Sequence, residues 1–148
     1  MYDHPVWILV ADGQHARVVE RPARGDCWTE PPGLTWRRPS PPRAGLAGRV
    51  FDSLGSNRHA IEPRMDPKDK ALVEFARMLA QELEREAAKG RFARLFLIAP
   101  PRFLGRLRKE LGPQAQGLLR GAIDKDLARM LIGEIVEHLH EHRPAADA

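Results

Sequence analysis

The sequence predicts an α/β fold built on a mixed sheet, and three observations predict it. Two short apolar runs, at 6–11 and 95–99, read as strands buried on both faces. Segments of helical periodicity follow residue 66, separated by Gly and Pro punctuation. A turn at Asp12, Gly13 and Gln14 directly follows the first run and gives the sheet an antiparallel arm. At 148 residues the chain suits one domain, here 1–142, with a polar tail at 143–148.

Val6, Trp7, Ile8, Leu9, Val10 and Ala11 form an unbroken apolar run between Pro5 and Asp12-Gly13, which places this strand at the centre of the sheet. The next segment, 15–20, carries Ala16, Val18 and Val19 and pairs back as the second arm of a hairpin. Weaker strands at 27–29 and 34–37, interrupted by Pro31, Pro32 and Gly33, extend this into a meander. From 39 to 65 the periodicity stops, with Pro39, Pro41, Pro42 and Pro63 among Gly45, Gly48 and Gly55. Loops beyond about 12–15 residues are uncommon in compact domains and are usually functional or disordered.

Asp66-Pro67 is a helix start, because the carboxylate accepts from orphan amides and proline at the first helical position loses no bond. Leu72, Phe75, Ala76, Leu79 and Leu83 follow at helical spacing, and Gly90 ends the helix. The run 95–99 reads as a strand parallel to the first, stopped by Pro100-Pro101. Phe103, Leu104, Leu107 and Leu111 predict a second helix closed by Gly112-Pro113, then a strand at 118–123. A final helix carries Leu127, Met130, Leu131, Ile135 and Leu139 on one face, with Asp126 as its cap. Right-handed crossovers place the helices over the sheet in a β-α-β-α-β order.

Hydrophobic residues at 43% and charged residues at 30% exclude wholesale disorder and fibrous classes. The single cysteine, Cys27, forms no internal disulfide, so folding does not require an oxidising compartment. The longest apolar run is six residues, far short of the ~20 that span a bilayer. Met1, Tyr2, Asp3, His4 and Pro5 show neither a basic nor an apolar leader, and the expected compartment is the cytoplasm. The formal charge is +4. Arg37, Arg38, Arg43, Arg49, Arg58 and Arg64 face only Asp52 and Glu62, so this stretch alone holds an excess equal to that of the whole chain. A basic loop of this kind suits an anionic partner.

The string Val10-Ala11-Asp12-Gly13-Gln14-His15-Ala16-Arg17-Val18, the long loop, then Ala99-Pro100-Pro101-Arg102-Phe103-Leu104-Gly105-Arg106-Leu107-Arg108 and Ile123-Asp124-Lys125-Asp126-Leu127 resembles the bacterial host-attachment protein family nearly end to end. That resemblance implies a distant relationship to the middle domain of archaeal and eukaryotic peptide-release factors and of Pelota, and with it a ribonuclease-H-like fold. In release factors the equivalent loop carries Gly-Gly-Gln, which assists water attack on peptidyl-tRNA. This chain offers Gly55, Ser56 and Asn57 there, with one glycine replaced and the amide one methylene shorter. Orientation carries much of such catalysis, so the loop tip is expected to dock rather than hydrolyse. The implied partner is ribosomal or transfer RNA.

On the residues themselves, the six arginines hold phosphates while Trp36 or Phe51 stacks a base. A second class is a metal-dependent nuclease, in which Asp12, Asp124 and Asp126 at strand ends hold divalent ions; turn formation by Asp12 and capping by Asp126 explain the same residues without metal. His138 and His142, with Glu134 a turn earlier, have ligand spacing, yet imidazoles at a helix C-terminus are favourable without an ion. Gly45 and Gly48 match no phosphate-cradling motif, and no cofactor is implied. A third class is a protein-interaction or adhesion module working through the exposed loop. The oligomeric state stays open.

Overall fold

The structure, a computed structural model, describes residues 4–38 and 67–142. Its sheet has five strands in the order β3-β2-β1-β4-β5: β1 (Val6–Ala11), β2 (His15–Arg21), β3 (Thr35–Arg37), β4 (Arg94–Ile98) and β5 (Leu119–Ile123). β1 pairs antiparallel with β2 and parallel with β4, and β4 pairs parallel with β5. An antiparallel meander therefore joins a parallel half, the arrangement expected of a ribonuclease-H-like domain.

β1 is buried along its whole length, and its side chains divide by the two-residue period of a strand. Trp7, Leu9 and Ala11 enter one core with helix α1 (Pro67–Ala88), helix α2 (Pro101–Glu110) and short helix α3 (Pro113–Leu118). Val6, Ile8 and Val10 enter a second, smaller core on the other face, closed by helix α4 (Ile132–His142). The Trp7 indole is fully buried, so its N–H needs an acceptor. Glu20, its direct register partner on β2, supplies one at 2.8 Å.

The hairpin turn is held by Asp12, whose Oδ1 accepts from the amides of Gln14 (2.9 Å) and His15 (2.7 Å). Gly13 takes φ +90°, a conformation L side chains rarely adopt. Gly90, at φ +75°, ends α1, with its own amide on Ala87 and that of Arg91 on Glu86.

Four expectations need correction. The segment 27–29 forms no strand, only a bridge between Glu20 and Thr29. Gly112-Pro113 opens α3 instead of merely stopping a helix, because Glu84 on α1 accepts from the α3 amides of Gln114 (3.1 Å) and Ala115 (2.9 Å). The strand predicted at 118–123 begins one residue later, since Leu118 closes α3. The last helix starts at Ile132, and Glu134, not Asp126, caps it by accepting from the Leu131 amide. Leu127 and Ala128 are buried in a turn before the helix, while Met130 and Leu131 face outward. The Arg17 guanidinium holds this turn by donating to the Met130 carbonyl. The Asp66 cap lies outside the described residues.

Candidate nucleic-acid interface

Ligands of open α/β sheets gather outside the carboxyl ends of the parallel strands. Here that edge receives the β1–β2 turn, the residues after β4 and β5, and the first turns of α1 and α2. It also receives the start of the basic segment: Arg37 pairs with His15 across β3 and β2, and the Arg38 amide donates to Gln14. Arg37 is exposed and Arg38 half-buried. Trp36 is partly buried against the larger core, which leaves only part of its ring for stacking. Arg43, Arg49, Arg58 and Arg64, with Phe51 and the tip Gly55, Ser56 and Asn57, lie outside the described residues.

A cationic groove of about 930 Å³ runs between α1 and α2. Leu72, Val73, Pro101 and Gly105 contribute apolar surface, and Arg102, Arg106, Arg108 and Lys109 supply the charge. α2 bears these four cations against Glu110 alone. Among the described residues Asp69 is the one carboxylate lining the groove, and it and the neighbouring Glu110 are paired with Arg102 and Arg106, two of the four cations. Glu110 lies between Arg77 (3.3 Å) and Arg106 (3.6 Å). Burial of Phe103, Leu104 and Leu107 fixes the helix, with Phe103 stacked on Phe75 at 5.8 Å. Arg108 and Lys109 occupy the last turn, where they complement the helix dipole, and both project to solvent.

The sequence reading missed this groove. Its signal was present as four cations in ten residues. A charge total over the rest of the chain hides it, because the sum cancels charges that are segregated in space. α4 carries Glu134, Glu137 and Glu141 with no Lys or Arg, so the cations of α2 and the carboxylates of α4 cancel on paper while lying on opposite sheet faces.

A second cleft, about 420 Å³, lies beside α4. Asp12 and Asp126 both line it, with Glu134 and Arg129; Asp124 is exposed at the end of β5 and does not. Asp12 spends Oδ1 on the two turn amides. No group of three or more His, Cys, Asp or Glu side chains able to hold a metal occurs among the described residues. His138 Nδ1 lies 3.9 Å from Glu141, and the His142 side chain lies outside the described set. No described helix is long and apolar enough to cross a membrane.

A family model described as a protein required for attachment to host cells matches residues 7–139. The chain belongs to the host-attachment family. No protein of curated function matches this host-attachment chain significantly. Among solved structures, it is similar to the type II variant of the Aquifex aeolicus Ppx/GppA phosphatase, at 14% identity and a TM-score of 0.42. The alignment covers 80% of the host-attachment chain and 35% of the phosphatase, so the chain spans about a third of that structure's length.

Proposed function

We propose that this host-attachment protein is a non-catalytic module that binds structured RNA, ribosomal or transfer, in the cytoplasm, in kinship with translation release and rescue factors. One observation supports the reading above others: four cations of α2 line a single open groove against one carboxylate among the described residues, Asp69, which leaves the groove net positive even with Arg102 and Arg106 held in ion pairs. Phosphates entering the groove meet net positive charge and exchange with condensed counterions, the dominant source of affinity for nucleic acids. The basic segment beginning at Arg37 and Arg38 extends the same charge sign from the carboxyl edge of the sheet. The shape of A-form RNA, more than its sequence, is what such contacts read.

Co-sedimentation with ribosomes across a salt titration tests this. Wild-type protein pellets at low salt and is released as salt rises, and the Arg49→Glu/Arg58→Glu variant pellets less with a shallower salt dependence. Absence of pelleting at every salt concentration contradicts the proposal and leaves the attachment phenotype to a protein partner.

A further inference from the structure

The knob before α4 and the groove between α1 and α2 have complementary surfaces. Met130 and Leu131 are the exposed large hydrophobic side chains among the described residues, at 37% and 73% relative exposure. They stand in the acidic cleft with Asp12, Asp126 and Glu134, whose carboxylates outnumber the one cation, Arg129. The knob is held in place, because Arg17 donates to the Met130 carbonyl and Glu134 accepts from the Leu131 amide. The groove inverts this chemistry, with apolar Leu72, Val73 and Pro101 beside Arg102, Arg106 and Arg108.

We infer that this protein self-associates head to tail, the Met130–Leu131 knob of one copy seating in the α1–α2 groove of the next. Three features of the fold select a second copy as the occupant. The knob is apolar with an acidic surround and the groove is apolar with a basic one, so desolvation of Leu131 is accompanied by paired, not buried lone, charges. Every chain carries one of each. The knob precedes α4 and the groove lies between α1 and α2, helices covering opposite faces of the sheet, so the knob faces away from its own groove, and the contact repeated head to tail is heterologous, producing rings or open chains. The inference does not rest on RNA binding. A polyanion would compete for the same groove.

Sedimentation velocity on the full chain without nucleic acid tests it, using two variants. Leu131→Asp removes the apolar anchor at an exposed position just before α4, where Asp is a favourable cap, so folding is preserved; Arg108→Glu reverses an exposed groove charge. Wild type associates with rising concentration, and association weakens about tenfold or more between about 0.05 and 0.5 M salt. Each variant alone is monomeric. An equimolar mixture of the two forms a heterodimer and stops there, because the Arg108→Glu chain keeps a working knob, the Leu131→Asp chain keeps a working groove, and the outer ends repel. A wild type that stays monomeric under all conditions overturns the inference. So does assembly that survives either variant, or a mixture that yields no heterodimer.

Discussion

The two faces of the sheet share the same strands but are covered and charged differently. One carries α1, α2 and α3 over a core that includes Trp7, Leu79, Leu97 and Phe103; the other carries α4 over Ile8, Ile98, Ile135 and Leu139. The thicker face is also cationic along α2, and the thinner one acidic along α4. Burial and charge are thus divided between the faces among the described residues. Among the described residues, a well-buried helix pair presents the basic groove, while the face covered by α4 presents the apolar knob.

The largest test of that division is Leu79→Ala. Leu79 is fully buried between α1 and the sheet, and truncation is expected to cost about 3–4 kcal/mol, against about 2 kcal/mol for Leu139→Ala near the end of α4, where the site can collapse. Urea denaturation of the two variants checks the order, and equal losses would erase the distinction. Hydrogen exchange sharpens it: α4 amides should open locally well below the global unfolding free energy, whereas α1 amides exchange only near it.

A smaller effect, within the thicker face, is expected at Gly112. A methyl group there would sit 2.6 Å from the Glu84 carboxylate, which holds the first amides of α3. Gly112→Ala should destabilise by about 2 kcal/mol, most of it absent in a Glu84→Ala background, because that carboxylate is what the methyl displaces. A double-mutant cycle that comes out additive would refute this coupling. Smallest of all, Glu82→Gln, which breaks an exposed pair with Arg85 at 3.1 Å, should change stability by less than about 0.5 kcal/mol.

Strand placement was legible because burial on both faces leaves unbroken apolar runs such as 6–11, and helix α1 because its start and end use local chemistry at Pro67 and Gly90. The α3 helix was illegible for a physical reason. Its amides are held by Glu84, thirty residues upstream of Gln114, so no local cap announces it. The start of α4 was misplaced because Leu127, Met130 and Leu131 keep helical spacing through a turn that is fixed by Arg17 from β2. The candidate groove was not legible from charge counts along the chain. Local charge counting points to a basic segment that begins at Arg37 and Arg38, but the groove is formed where α2 lies along α1, a juxtaposition that depends on packing of Phe75 against Phe103.

The measurement that bears most directly on the central claim is the affinity for a structured RNA as a function of salt, compared among wild type, Arg108→Glu/Lys109→Glu on the basic face, and Glu137→Gln/Glu141→Gln on the acidic one. The account predicts that the groove variant loses about tenfold or more in affinity and about two units of salt slope, one per lost phosphate contact, while the α4 variant stays within about twofold of wild type. An unchanged slope in the groove variant, or equal responses from the two faces, would contradict it.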